Sequence, residues 1–199
     1  MKLPEIIGIA GTNGAGKDTL AELRDQYDHC FSMSLSDMLR LELGRRGLST
    51  ERANMANLSR EWRQESGDDG ILAQKAIEHY LSEKSHKTYQ GFSVVSLRHP
   101  AEAEAVHRYG GVVLWVDGDR RIRYERIQKA TRTNRPDDLK TYEEFEAEEL
   151  REMYPPTDAP AGTLNMAAVK EKADIVIENN FDTLEKYRQF LLDKFEINK

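Results

Sequence analysis

The sequence predicts an α/β fold in which helices cover both faces of a parallel β-sheet. Short apolar segments alternate with helical patterns along the 199 residues, as expected for repeated βα units. The segment 111–117 is almost continuously apolar, which is typical of a strand buried on both faces of a parallel sheet. A glycine-rich segment at 11–19 joins the first apolar segment directly to a helix. These observations together predict a three-layer α/β domain.

The strands and helices follow from apolar runs and from residues that begin or end helices. Strands are predicted at 5–10, 30–35, 92–97, 111–117 and 173–178. Helices are predicted at 17–27, 36–43, 50–84 with an interruption at 67–70, 122–129, and onward from 141 and 182. Ser36 is expected to cap the second helix and Gly44 to end it. Thr141 and Glu144 have the spacing of a capping box, whereas the composition of 154–162 indicates a loop.

The composition restricts the class of function. Hydrophobic residues make up 39% of the chain, which is sufficient for the core of one domain. The formal net charge of −6 argues against a general nucleic-acid-binding protein, because such proteins neutralise phosphates with an excess of basic residues. A local basic pocket for a small anion is still compatible with this charge.

Cysteine content and hydropathy indicate a cytoplasmic protein. Cys30 is the only cysteine, so the chain forms no internal disulfide, and we expect this thiol to be packed in the core. No apolar run reaches 18 residues and the N-terminus lacks the layout of a signal peptide, so no membrane association is expected. A monomer and a homodimer both remain open.

The most specific motif is the phosphate-binding loop (P-loop) GTNGAGKDT at 11–19. Gly11, Gly16 and Lys17 fit G-x-x-x-x-G-K, and they lie between a strand and a helix, where backbone N–H groups can wrap phosphates. An ordinary glycine turn is the alternative, but motif and context agree on ATP binding. Lys17 is expected to reach the β- and γ-phosphates. The candidate nucleotide-binding residues of the loop are Gly11, Thr12, Asn13, Gly14, Ala15, Gly16, Lys17, Asp18 and Thr19.

The residue after Lys17 departs from the usual motif. Asp18 occupies the position at which Ser or Thr usually binds Mg²⁺, and the hydroxyl follows one residue later at Thr19. Thr19 is expected to contact the α-phosphate. Asp18 is either a metal ligand, directly or through water, or a first-turn acid favoured by the helix dipole. A carboxylate beside a triphosphate is repelled unless a cation intervenes, which favours the metal-linked role.

Beyond the loop, the chain resembles the nucleoside monophosphate kinases among the P-loop kinases. The glycine loop of adenylate kinases often ends Gly-Lys-Gly-Thr, and the segment 36–40, Ser-Asp-Met-Leu-Arg, is similar to their Gly-Asp-Met-Leu-Arg. The resemblance implies that Arg40 grips the phosphate of the acceptor. It gives the same role to Arg98, which follows the third strand. Arginines of this kind are individually more often surface residues, but both follow carboxyl ends of strands, where open α/β sheets place ligands.

An insertion after the second strand carries a further resemblance. The segment 58–70 is similar to that of archaeal and bacterial kinase-like proteins described as dephospho-CoA-kinase-like or nucleotide-kinase-like. It also resembles phage deoxynucleoside monophosphate kinases, in which Gly-Lys-Asp-Thr occurs. Arg60 and Arg63 are then candidate contacts of the acceptor, although a charged face exposed to solvent explains them equally well.

The segment 119–127 resembles the start of the kinase lid. This resemblance implies that Arg126 stacks on adenine and that Arg132 and Arg135 contact the phosphoryl group in transfer. Position 130 is Ala, which breaks the Arg-x-x-x-Arg spacing of the family, so Lys129 or Arg132 would have to substitute. The segment has no cysteines to bind zinc.

Two further features concern the base and the metal. Asn179 lies where these folds often contact the adenine base, although Asn-Asn is also simply a turn. The family usually carries an aspartate near the end of the third strand that organises Mg²⁺, whereas this chain has Val and Ser at 95 and 96. Asp18, Asp37 and Asp117 are the candidates for the missing acid.

The sequence therefore predicts a phosphotransferase that moves the γ-phosphoryl group of ATP to a phosphorylated small molecule. A nucleoside or deoxynucleoside monophosphate is the expected acceptor, with Mg²⁺ as cofactor. The expected architecture is one domain, 1–199, with strand order 2-3-1-4-5, an acceptor-binding region at 36–90 and a lid at 119–162. One alternative is dephospho-CoA kinase, which the segment 173–180 resembles. The other is a nucleotide-binding switch with little transfer activity, which the missing third-strand aspartate favours.

Overall fold

A parallel β-sheet forms the centre of the protein. The computed structural model describes residues 1–129, 140–159 and 162–197. In these residues the strands are β1 Ile6–Gly11, β2 Phe31–Ser34, β3 Phe92–Leu97, β4 Val112–Asp117 and β5 Ile175–Glu178. Every neighbouring pair is parallel, and the order is β2-β3-β1-β4-β5. The structure confirms the predicted fold class and strand order.

Helices connect the strands and cover the sheet. They are α1 Lys17–Tyr27, α2 Leu35–Arg45, α3 Arg52–Ser66, α4 Ile71–Lys87, α5 Pro100–Arg108, α6 Arg120–Lys129, α7 Tyr142–Met153, α8 Met166–Glu171 and α9 Leu184–Phe195. The sequence did not predict α5 or α8. Both are short, and α5 begins with a proline, which is as typical of a turn as of the first position of a helix.

The helix boundaries depend on local hydrogen bonds that differ at three places from the prediction. Ser34, not Ser36, caps α2, because its Oγ accepts the Asp37 N–H at 3.1 Å. Gly44 lies inside α2 instead of ending it. Thr183 caps α9, so this helix begins later than the predicted start at 182. The predicted capping box that begins α7 at Thr141 is confirmed. The predicted break between α3 and α4 is also present, with Gly67 at a φ of 66°.

The two faces of the sheet bury separate apolar clusters. Ile7 and Ile9 of β1 pack with α1 and α9, whereas Ile6 and Ala10 pack on the opposite face with residues of α2–α5 and α8. This alternation produces the predicted three layers. Cys30 is buried beside β2, as expected, and burial raises the pKa of its thiol. In the described part of the chain, no helix combines the length and apolarity needed to cross a membrane.

A bulge at the end of β3 determines where the following residues point. Ile9 pairs with Val95 but Ala10 pairs with Leu97, so Ser96 has no partner in the ladder. Ser96 adopts a φ of 68°, in the left-handed region that favours glycine. The extra residue directs the Leu97 side chain into the core and leaves Arg98 half exposed at the carboxyl edge of the sheet.

We expect Ser96→Gly to be more stable than Ser96→Ala by about 1 kcal/mol. Both variants lose the hydroxyl, but only alanine keeps the Cβ that makes this φ unfavourable. The free energy of unfolding, measured by urea denaturation of both variants, checks the difference. Equal stabilities would contradict the assignment of backbone strain to Ser96.

Candidate nucleotide and phosphate site

The loop between β1 and α1 requires glycine for steric reasons. Gly11, Gly14 and Gly16 have φ values of 142°, 76° and 88°. A Cβ at position 11 would lie 2.0 Å from the Val116 carbonyl oxygen, and one at position 16 would lie 2.8 Å from Asn179 Nδ2. The loop is therefore held close to β4 and to the segment after β5, and a side chain at either glycine would displace it.

The amides of this loop are available to an anion. Inside the loop, the Ala15 N–H donates to the Thr12 carbonyl oxygen at 3.3 Å. Helix α1 has no side-chain cap, and the N–H groups of Gly14, Gly16 and Lys17 donate to no other described residue. Unpaired amides at a helix N-terminus are suited to phosphate oxygens. The loop therefore fits the triphosphate of a nucleotide.

Lys17 lies across the loop in a largely buried position. Its Nζ donates to the Thr12 carbonyl oxygen at 2.9 Å, so the side chain lies back across the loop. Burial, assisted by the charges of Arg98 and Arg123, lowers the pKa of Lys17 to about 8, although Asp18 and Glu152 act in the opposite direction. Because burial is the main cause of the low pKa, the ammonium has lost hydration that a phosphate group beside it would replace with a favourable charge interaction.

Asp117 anchors the loop from the end of β4. Its carboxylate accepts hydrogen bonds from Thr12 Oγ1 at 3.0 Å, Gly118 N at 2.9 Å, Trp115 Nε1 at 3.1 Å and Lys170 Nζ at 3.0 Å. Burial would raise the pKa of Asp117, but the donors outweigh it and hold that pKa below its usual range. A carboxylate accepts about four hydrogen bonds, so direct coordination of Mg²⁺ would require some of these donors to be released.

The other candidate metal ligands lie in different settings. Asp37 follows β2 and accepts from Ser34 N, Ser34 Oγ and Arg40 Nη1, so it caps α2 and holds Arg40. Asp18 is exposed on the first turn of α1. The described residues contain no group of three or more acidic, histidine or cysteine side chains that could hold a metal. Mg²⁺ on a nucleotide usually has only one or two protein carboxylates, so a dispersed arrangement is compatible with it.

Each of the two predicted acceptor arginines is paired with a carboxylate. Arg40 Nη1 lies 2.7 Å from Asp37 Oδ1 on α2. Arg98, after β3, places Nη1 3.5 Å from Glu152 Oε1 of α7. Both arginines lie after the carboxyl ends of the adjacent strands β2 and β3. No contact between the two guanidinium groups is present in the described residues, so their convergence on one phosphate stays a prediction.

A buried carboxylate that the sequence did not indicate supports Arg98. Glu102 accepts the Arg98 N–H at 2.8 Å and the His99 N–H at 3.1 Å, and burial raises its pKa. Arg63 of α3 places Nη2 3.3 Å from Glu102 Oε1 and donates through Nε to the Asp69 carbonyl oxygen. Arg63 thus joins the insertion to the segment that carries Arg98. Arg60 donates to a neighbouring side chain on the outer face of α3.

A buried ion pair, also absent from the sequence prediction, joins the loop to α7. Arg123 is 3% exposed and donates to the Asn13 carbonyl oxygen at 3.0 Å and the Gly118 carbonyl oxygen at 2.9 Å. Its two terminal nitrogens also bond to both carboxylate oxygens of Glu149, which accepts from Arg120 as well. Although burial acts to raise the pKa of Glu149, the two arginines hold it below the usual range. In the sequence, Arg123 is only one of several arginines at 120–126.

Arg126 and Asn179 connect the segment after β5 to the loop. Arg126 donates to the Asn179 carbonyl oxygen at 3.0 Å, to Asn179 Oδ1 at 3.2 Å and to the Phe181 carbonyl oxygen at 2.7 Å. Asn179 Nδ2 donates to the Ala15 carbonyl oxygen at 2.8 Å. Their predicted contacts with adenine stay predictions. Arg132 and Arg135 lie outside the described residues.

Helix α7 packs directly over the loop. The cavity between them is only about 40 Å³, which is room for a few water molecules. The residues around it are Thr12, Asn13, Phe145, Glu148, Glu149, Glu152, Met153 and Met166. A larger groove of about 670 Å³ lies between α2, α3 and α4, but it contains none of the predicted site residues. Helix α7 therefore covers one side of the P-loop.

Relatives of the chain carry the name UPF0200 protein. The chain is 33% identical to the UPF0200 protein of Staphylothermus marinus, over 92% of this chain and 87% of that protein. It is 32% identical to that of Hyperthermus butylicus over 74% and 75%, and 27% identical to that of Methanocaldococcus jannaschii over 93% and 95%. No protein-family model matches the chain.

Solved structures share the fold at low sequence identity. A protein from Thermus thermophilus covers the whole chain, and is itself wholly covered, with a TM-score of 0.58 and 17% identity. The shikimate kinase of Acinetobacter baumannii, solved in complex with shikimate, has a TM-score of 0.56 and 13% identity over 98% of this chain and 94% of that one. The shikimate kinase of Bacteroides thetaiotaomicron has a TM-score of 0.54 and 16% identity over 96% and 98%. The chain therefore has the fold of P-loop kinases.

The affinity for an ATP analogue should fall as the pH rises above 8. The pKa of Lys17 is about 8 in the free protein, and a triphosphate against the ammonium will raise it in the complex. Below pH 8, Lys17 is protonated both in the free protein and in the complex, so it causes no change of affinity with pH. Above it, affinity declines by up to about tenfold per pH unit until the pKa of the complex is reached.

Calorimetric titration of a non-hydrolysable ATP analogue between pH 7 and 9.5 measures this dependence. Lys17→Met is the control, because it keeps the length of the side chain without the titrating group and should bind weakly with no decline above pH 8. A wild-type Kd that is constant over this range would contradict the role of Lys17.

Proposed function

Because the chain belongs to the UPF0200 family and folds as shikimate kinases do, we propose that it is an ATP-dependent phosphotransferase acting on a small phosphorylated molecule. The observation that carries this proposal is the glycine loop, in which the amides of Gly14, Gly16 and Lys17 have no partner among the described residues. The ammonium of Lys17 is largely buried there, and Arg98 and Arg123 bring two further positive charges near it, which Asp18 and Glu152 partly offset. Phosphoryl transfer depends mainly on such positioning and charge neutralisation.

The residues of the loop have distinct roles in this proposal. The unpaired amides of Gly14, Gly16 and Lys17 at the N-terminus of α1 bind the β- and γ-phosphates, and Lys17 neutralises charge at the group in transfer. Thr19 reaches the α-phosphate. Mg²⁺, bound together with ATP, would neutralise the phosphate oxygens, and Asp18 is the exposed acid placed to hold it or its waters. Asp117 keeps Thr12 and therefore the loop in position.

The acceptor is proposed to be a nucleoside or deoxynucleoside monophosphate. Arg98 and Arg40 would bind its phosphate, since guanidinium forks match phosphate oxygens and both arginines follow strands at the ligand edge. The segment 36–40 favours a nucleotide over dephospho-CoA. Residues 36–90 would form the acceptor region and 119–162 the lid. The packing of α7 on the loop supports the lid, because its closure would exclude water from the transfer.

A nucleotide-dependent switch is the second candidate. The observation that favours it is the end of β3, where Val95 and Ser96 replace the acid that organises Mg²⁺ in the kinases that the chain resembles. A switch needs a nucleotide site but no second phosphate site. It would therefore bind ATP without any acceptor increasing its turnover.

An assay of ADP release separates these candidates. The protein is supplied with ATP, Mg²⁺ and, in turn, nucleoside monophosphates, deoxynucleoside monophosphates and dephospho-CoA. We expect one phosphorylated class to stimulate release, and we expect Lys17→Ala to reduce the stimulated rate by about 10²-fold or more without loss of fold. ATP binding with no stimulation by any acceptor would select the switch.

Arg40→Ala and Arg98→Ala should each lower kcat/KM for the acceptor by about 10- to 100-fold and change ATP binding little. If both hold one phosphate, their effects should be non-additive in the double variant. Arg46→Ala is the matched control, since Arg46 is also ion-paired near α2 but contacts Glu42 and Glu61. Wild-type acceptor kinetics in both single variants would exclude a monophosphate acceptor held by these arginines.

A further inference from the structure

Glu152 lies in the last turn of the helix that covers the phosphate site. Other ion pairs fix this helix, α7, in place: Glu149 binds Arg123 and Arg120, and Glu148 lies 2.5 Å from Lys140 Nζ. Glu152 follows these two glutamates by three and four residues, so it shares their face of the helix. All three line the cavity above the loop. The position of Glu152 is therefore determined by contacts that do not involve Glu152 itself.

The carboxylate of Glu152 faces the cations of the proposed transfer site. Its Oε1 lies 3.5 Å from Arg98 Nη1. Its negative charge also reaches Lys17, where it acts to raise the pKa of the ammonium. The side chain of Glu152 is 38% exposed and that of Arg98 is 51% exposed. This contact is longer and more open to water than a buried bidentate pair, so its free energy is small and the pair can be exchanged for another.

Three other acids near the loop, Glu149, Asp117 and Asp37, have stronger fixed partners. Glu149 is bound by two arginines, and Asp117 accepts four hydrogen bonds. Asp37 caps α2 and holds Arg40. Among the described residues, Arg98 is the recorded ion-pair partner of Glu152. An incoming anion can therefore replace Glu152 on Arg98 without disturbing the packing of the lid helix.

We propose that Glu152 is a positioning residue that competes with the acceptor: its carboxylate occupies the face of Arg98 that the phosphate of an acceptor must take. This inference rests on the proposed function. A phosphate group can offer two oxygens to the guanidinium fork, and it carries more negative charge than a carboxylate. Glu152 makes only one long contact with Arg98, so the phosphate displaces it. A neutral hydroxyl compound or water lacks the charge to do so. Glu152 thus holds Arg98 in place while no acceptor is bound, and it lowers the affinity of the site for phosphate by the free energy needed to displace it.

Binding of inorganic phosphate tests this competition without requiring turnover. Phosphate is titrated by calorimetry in excess ADP and Mg²⁺, so that the nucleotide site is already filled. The proteins are the wild type, Glu152→Gln, Arg98→Ala and the double variant. Glu152→Gln should bind phosphate about two- to fivefold more tightly, as expected for removing an exposed ion pair that competes with the ligand. In the Arg98→Ala background, Glu152→Gln should not increase the affinity for phosphate.

Glu146→Gln is the matched control, because it makes the same charge change on α7 but its carboxylate pairs with Arg120. Its phosphate affinity should equal that of the wild type, and thermal unfolding should show all variants folded. The proposal is overturned if Glu152→Gln binds phosphate no more tightly than the wild type. It is also overturned if the gain persists without Arg98 or appears equally in Glu146→Gln, since either result indicates a general charge effect.

These outcomes are separate from a failure of the proposed function. A panel in which no phosphorylated acceptor stimulates ADP release would reject the transferase, whatever the phosphate titrations show. Conversely, an active transferase whose Glu152→Gln variant shows no Arg98-dependent gain would retain its function and lose only this role of Glu152.

Discussion

The buried guanidinium of Arg123 is the group on which the candidate site depends, because it joins three segments at one point. It donates to a carbonyl oxygen of the P-loop, to another just after β4, and to Glu149 of α7. Removing one partner of such a pair leaves an uncompensated buried charge, typically at a cost of about 3–5 kcal/mol. The shape of the loop and the position of α7 are therefore coupled through a single side chain.

Around this group, neighbouring strands supply the remaining constraints on the loop. Asp117 at the end of β4 holds Thr12, and Asn179 after β5 holds the Ala15 carbonyl oxygen. Both contacts exist because β1, β4 and β5 are adjacent in the sheet, which brings their carboxyl ends together. A loop fixed in this way keeps one backbone geometry before any ligand arrives, as the proposed phosphate site requires. Preorganisation of this kind is the condition under which electrostatic stabilisation of a transferring phosphoryl group is most effective.

The sequence predicted the fold class, the strand order and the principal helices, since apolar periodicity and capping residues are local signals. The prediction of helix starts was less accurate where two neighbouring residues could both act as caps. Ser34 and Ser36 are both possible caps for α2, and the reciprocal hydrogen bonds with Asp37 decide for Ser34. Helices α5 and α8 are too short for periodicity to identify, and tertiary packing stabilises them. The bulge at Ser96 leaves no mark in the sequence because the residue is not glycine.

The sequence alone determined the P-loop, because its glycines and lysine satisfy steric and hydrogen-bonding requirements within a few consecutive residues. Only the tertiary structure decided which charges meet. It paired Arg98 with Glu152, Arg123 with Glu149 and Arg63 with Glu102, whereas the sequence showed only arginines and glutamates in polar helices. The energy of an ion pair depends on the distance through space and on the burial of both groups. Neither quantity exists until separate segments of the chain have been packed against one another.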